Sequence, residues 1–156
     1  MKKLILLSIC VFGFGLSSQA QSIADHALGL RLGDNDGFGT EISYQHGLSE
    51  NNRLELDLGW RSSNNVDSFK LTGLYQWVWN IDQGFNWYVG AGGGVGAVDT
   101  EFTDSEFFAL IAGDIGIEYD FNIPLLLSLD FRPELGFSDY HDDVDFDIAL
   151  GIRYQF

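Results

Sequence analysis

Hydrophobic and polar positions alternate along this chain with a period of two, and the alternation restarts eight times between turn-forming stretches. Leu28, Leu30 and Leu32 alternate with Ala27, Gly29 and Arg31, and Ile42 and Tyr44 with Glu41, Ser43 and Gln45. Leu54, Leu56, Leu58 and Trp60 oppose Glu55, Asp57, Gly59 and Arg61. A fourth segment sets Phe69, Leu71, Tyr75, Trp77 and Trp79 against Lys70, Thr72, Leu74, Gln76 and Val78. A fifth sets Phe85, Trp87, Val89, Ala91 and Val95 against Tyr88, Gly90, Gly92, Gly94 and Gly96. Ile111, Ile115, Ile117 and Tyr119 then oppose Ala112, Asp114, Gly116, Glu118 and Asp120, and Leu125, Leu127, Leu129 and Phe131 oppose Ser128, Asp130, Arg132 and Glu134. The last segment places Phe146, Ile148, Leu150, Ile152, Tyr154 and Phe156 against Asp147, Ala149, Gly151, Arg153 and Gln155. Links at 49–52, 80–84 and 122–124 are short, and those at 34–39, 62–67, 99–106 and 138–145 are longer. Such links join antiparallel neighbours, so the pattern predicts an all-β, eight-stranded antiparallel up-and-down barrel. Pro133 is the local misfit, for it lacks a ladder donor and predicts a bulge.

The chain has 156 residues, enough for one domain, with 8 Lys and Arg against 23 Asp and Glu, a formal charge of −15. Without a basic patch there is no electrostatic footprint for nucleic acid. The first residues have a different character. Met1, Lys2 and Lys3 precede an apolar run over 4–16 that is too short to span a bilayer, and Ser18, Gln19 and Ala20 supply small residues suited to cleavage. Residues 1–20 are therefore expected to be a cleaved signal peptide and residues 21–156 the exported barrel domain. Cleavage would remove Cys10, the single cysteine, so no disulfide is expected.

A closed eight-stranded meander can face its apolar side inward, as a soluble lipocalin-like carrier, or outward, as a transmembrane barrel. The polar phase holds every base after residue 20, together with many acids and glycines, and only one of those bases is a lysine. Glycine weakens an exposed strand but suits a crowded interior, where mixed charges can pair. Aromatic residues fall near the strand ends, with Leu, Ile, Val and Ala between them, as two interfacial girdles around a hydrocarbon band require. The outward-apolar orientation is the better reading. Arg31, Lys70, Arg132 and Arg153 become candidates for lumen ion pairs with Glu41, Glu55, Asp57, Glu118 and Asp130.

On these features, together with an ending at Tyr154 and Phe156, the chain resembles the small bacterial outer-membrane β-barrels of the OmpX type, or the membrane portion of OmpA. The resemblance covers the whole exported chain. It implies insertion in a Gram-negative outer membrane among lipids and lipopolysaccharide, as a monomer. It also implies delivery by the barrel assembly machinery, with Tyr154 and Phe156 as the assembly signal. No peptidoglycan-binding domain follows, so a tether to the cell wall is not expected, and the role expected is structural or in cell-surface interaction.

Candidate chemistry is sparse. The longer links are acidic, and Asp139, Asp142, Asp143 and Asp145 are the candidate ligands of a divalent-cation crown for calcium or magnesium; a merely solvated acidic rim is the alternative. His141 followed by Asp142 and Asp143 imitates part of a catalytic dyad, but without a placed nucleophile, so no enzyme, whether lipid-modifying or other, is expected. His26 and His46 lie on the outward phase near the short links, a position for interfacial anchoring rather than ligation. The inward glycines of the fifth segment could clear a narrow channel or a small-ligand cavity, or could receive bulky neighbours such as Tyr88, Arg31 or Arg132. No cofactor is expected.

Overall fold

A computed structural model describes residues 23–33, 39–63, 66–100, 103–137 and 144–156. The expected signal peptide and Asp139, His141, Asp142 and Asp143 lie outside these residues. Each alternating segment forms a strand: β1 (His26–Gly33), β2 (Thr40–Ser49), β3 (Asn52–Ser63), β4 (Val66–Asp82), β5 (Phe85–Thr100), β6 (Thr103–Asp120), β7 (Leu125–Phe137) and β8 (Val144–Gln155). Every strand pairs antiparallel with the next, and β8 returns to β1 to close the barrel. Closure leaves no unpaired edge, the one arrangement in which strands can cross lipid with their backbone groups satisfied.

The pleat sorts the two faces as the period predicts. Large apolar residues point out and remain exposed, among them Leu30, Ile42, Leu58, Val95, Ile115, Leu129 and Ile148, while the alternate positions are buried. Rings gather at the short-turn end. Trp79 stacks on Trp87 at 4.5 Å between centroids, and Phe85, Tyr119 and Phe121 follow in sequence around the rim. The β4–β5 turn closes through Gln83 and Gly84, whose φ values are 23° and 93°; a Cβ at Gly84 would lie 2.7 Å from the Asp120 carbonyl oxygen.

Two expectations are corrected. The links at 62–67 and 99–106 are largely strand, since β3 pairs with β4 as far as Ser63↔Val66 and β5 with β6 as far as Thr100↔Thr103. Polar residues pair in a ladder as readily as apolar ones where the exterior faces water, so loss of the apolar phase does not end these strands. Likewise β8 begins at Val144, so Asp145 lies within a strand opposite Glu134. Pro133 makes no bulge. The β6–β7 register lapses after Ala112↔Glu134 and resumes at Ile115↔Phe131 with the same offset, and Pro133 pairs with Phe146 on its other side. Its ring lies beside Gly113, where a Cβ would be 3.3 Å from the proline Cγ. A neighbour without a side chain accommodates the ring, so the lost ladder bond needs no inserted residue.

Candidate functional site

The lumen is filled by a charge network to which every strand but β5 contributes. Among the described residues, five bases and eight acids are buried inside it: Arg31, Arg53, Lys70, Arg132 and Arg153 with Glu41, Glu55, Asp57, Asp114, Glu118, Asp130, Glu134 and Asp147. Their phase on the pleat aims them inward, and closure brings opposite walls within reach.

Arg31 is the hub on the β1 side. It donates to both Asp130 oxygens, to Glu41 at 3.0 Å and to Asp147 at 2.6 Å. Arg132, from β7, crosses to β3, donating to Asp57 at 2.7 Å and Glu55 at 3.0 Å, with Glu41 at 3.5 Å. Lys70 donates to Glu134 at 3.0 Å and lies 3.4 Å from Glu41. Arg153 lies 3.2 Å from Glu55 and donates to Ser43 and Ser128. Towards the short-turn end Arg53 grips Glu118 through two nitrogens, at 3.1 and 2.7 Å, donates to Gln76 and lies over the Tyr88 ring. Planar guanidinium forks suit this role because one Arg can engage several carboxylates.

The candidates named from sequence thus fall on one connected surface. Arg31 meets Glu41 and Asp130, Arg132 meets Glu55 and Asp57, and Arg153 meets Glu55. Glu118 is held by Arg53, and Glu134 and Asp147 pair with Lys70 and Arg31, so the network extends beyond the candidate ion pairs. Their inward phase was the available signal. Asp114 accepts from Gln76, but its other oxygen has no hydrogen-bond partner among the described residues. Arg132 occupies the position across from Asp114 where the β6–β7 register lapses, and its Nε is likewise without a hydrogen bond.

The glycine lane is occupied. A Cβ at Gly90 would meet Gln76, one at Gly94 would meet Thr72, and one at Gly96 would strike the Phe108 ring. At Gly92 it would strike the backbone carbonyl of Gly73, so β4 and β5 approach more closely there than any side chain permits. Near neighbours, rather than Arg31 or Arg132 from across the lumen, fill this lane, while Tyr88 covers Gly116. Leu74, Leu110 and Ala112, packed with Phe108, form a small apolar cluster inside the barrel wall that a strictly polar interior would lack.

Asp145 is half-buried, and among the described residues no three His, Cys, Asp or Glu side chains converge as a metal site. Tyr154 and Phe156 stack at 6.2 Å, and the Phe156 amide donates to the His26 carbonyl oxygen at 2.9 Å, which fastens the chain end to β1.

No family model and no curated protein matches the sequence. Solved structures match the fold. The N-terminal β-barrel domain of Pseudomonas aeruginosa OprF superposes with a TM-score of 0.66 at 14% identity, covering 85% of this chain and 98% of that one. Neisserial surface protein A gives 0.61 at 14% identity, over 84% and 94% of the two chains. Ail, the attachment invasion locus protein of Yersinia pestis, gives 0.56 at 13% identity, over 86% and 100%. The fold is that of the small outer-membrane β-barrels. A transmembrane barrel of this kind presents its apolar exterior to lipid, and the buried ion pairs described above are its interior.

Proposed function

We propose that the protein resides in the outer membrane as a closed barrel with a structural or cell-surface interaction role, and is neither a channel nor an enzyme. The observation that carries this reading is the lumen: each of its five bases bridges strands to a carboxylate, and side chains occupy the spaces opposite the glycines. An ion crossing such an interior would have to break several desolvated pairs, each strong in a low-dielectric surrounding. Exterior and interior support the same reading from opposite sides. The apolar belt with its aromatic rims suits a bilayer, while Tyr154 and Phe156 at the end of β8 suit recognition by the assembly machinery. Phospholipid and lipopolysaccharide are the partners of the belt, and the acidic outer links are available to divalent cations.

Conductance tests the reading. The protein purified from membranes and inserted into planar bilayers should give no steady single-channel current, and extraction from cell envelopes should require detergent. A reproducible open level would overturn the closed-barrel reading, and release by salt or alkali alone would overturn the membrane placement.

A further inference from the structure

At the short-turn rim, outside the lumen, two histidines face one another. His26 on β1 and His46 on β2 are directly opposed in the register, so both project from the same outward face. Their rings are stacked within 19° of parallel with centroids 5.0 Å apart, and their Nδ1 atoms are only 3.3 Å apart, so the nitrogen-bearing edges lie side by side. Two oxygens border the gap. The Tyr44 hydroxyl lies 2.8 Å from His26 Nδ1, and the Asp25 carbonyl oxygen lies 3.2 Å from His46 Nδ1.

We propose that His26 and His46 form a chelating site for a late first-row transition metal ion such as Cu²⁺, Ni²⁺ or Zn²⁺. Two nitrogens bound to a tetrahedral ion at about 2.0–2.1 Å lie about 3.3–3.4 Å apart, so the observed separation matches a Zn²⁺ bite as it stands, and the cis nitrogens of a tetragonal Cu²⁺ or Ni²⁺ ion, about 2.8 Å apart, draw the two rings together by about half an ångström without rebuilding either strand. Each ring turns about its Cβ–Cγ bond, so two nearly parallel rings whose Nδ1 atoms already lie 3.3 Å apart can bring both lone pairs onto one ion beside them. In the metal-free pair only one of the two nitrogens can carry a proton along their contact. Binding replaces that proton's position with the ion, the proton moving to Nε2 of the same ring. Tyr44 and the Asp25 carbonyl supply neighbouring oxygens, and solvent completes the shell. Imidazole donors with few carboxylates favour Cu²⁺, Ni²⁺ and Zn²⁺ over Mg²⁺ and Ca²⁺. The pair also borders the barrel's closure, because the Phe156 ring packs on His26 at 5.4 Å and the Phe156 amide bonds its carbonyl. A bound ion would fasten β1 to β2 next to the β1–β8 seam.

The test uses untagged protein purified from membranes in detergent. Titration with Cu²⁺ should saturate at one ion per chain, and the electron paramagnetic resonance spectrum should carry hyperfine structure from two imidazole nitrogens. Zn²⁺ should raise the temperature at which the barrel loses its compact gel mobility, and a millimolar excess of Mg²⁺ should not compete. Partners that merely orient a ligand cost about 10–100-fold in affinity when removed, so His46→Asn should weaken binding by about tenfold or more. Binding that is unchanged in His46→Asn, that is displaced by Mg²⁺, or that shows oxygen-only coordination in the spectrum would overturn the proposal. So would the absence of saturable binding. The spectrum of the unaltered protein decides the matter even if the variant does not fold.

Discussion

Replacing Arg132 with Met removes the cation that bridges β7 to β3 while keeping an unbranched apolar stem. Three carboxylates lose a partner, but unequally. Glu41 keeps Arg31 at 3.0 Å and Lys70 at 3.4 Å, and Glu55 keeps Arg153 at 3.2 Å and the Gln45 amide. Asp57 keeps no base within ion-pair distance among the described residues, and its Oδ1 already lacks a hydrogen bond. The variant therefore strands one fully buried carboxylate, a change that costs about 3–5 kcal/mol. Every 1.4 kcal/mol is a factor of ten, so the folding equilibrium should shift by about two to three and a half orders of magnitude. The same arithmetic makes the double variant Arg132→Met, Asp57→Asn the informative control, because it removes the stranded charge and should recover most of the loss. Equilibrium urea unfolding in lipid vesicles, followed by tryptophan fluorescence, measures both. A loss below about 1 kcal/mol, the value of a solvated surface pair, would refute the reasoning, since it would mean that Asp57 is hydrated through an open lumen. Failure of Asp57→Asn to rescue would refute it equally.

Other substitutions probe the remaining parts of the account. Ile115→Arg puts a charge on the lipid-facing surface near mid-barrel and should cost about 2–4 kcal/mol in vesicle unfolding, whereas Ile115→Val should be mild. Gly92→Ala drives a Cβ into the Gly73 carbonyl and should cost about 1–3 kcal/mol or prevent folding, by the same unfolding assay. Gly73→Ala on the opposite face meets the Leu56 side chain at 3.4 Å and the Gly93 carbonyl oxygen at 4.0 Å, both ordinary contacts, and should be tolerated with little change. Arg53→Met leaves Glu118, among the described residues, with only the Asn86 amide at 3.3 Å, so it should destabilise about as much as Arg132→Met, and Glu118→Gln should rescue it.

The fold was largely legible because the strand period is two and one face had to be apolar: a slip of one residue in β3 would have put Asp57 and Glu55 into lipid. The inward phase was legible for the same reason. What could not be read was which acid each base reaches, since Arg132 and Asp57 lie 75 residues apart and meet only through the closure geometry. The inward phase of Arg53 was legible, but its partner was not, because Arg53 is the second residue of β3, beside the short link, while Glu118 lies on β6. Leu110 and Phe108 carry an apolar inward stretch of β6, which simple alternation of polar and apolar faces does not anticipate. The extensions of β3 to β6 past the apolar belt were hidden because Asp67, Asp99 and Thr103 read as turn formers, while their pairing is set by neighbours already in register. The His26 and His46 pair was visible only as two outward histidines until the β1–β2 register set them opposite one another.

All four tryptophans, Trp60, Trp77, Trp79 and Trp87, stand on the outward phase, Trp60 at 78% exposure. Fluorescence of the protein in vesicles whose acyl chains carry bromine therefore reports directly on which face meets lipid. Strong quenching by the brominated chains, with little quenching by iodide in the aqueous phase, is the predicted result. Tryptophans indifferent to bromine, in a protein that stays dispersed in buffer without detergent, would contradict the account.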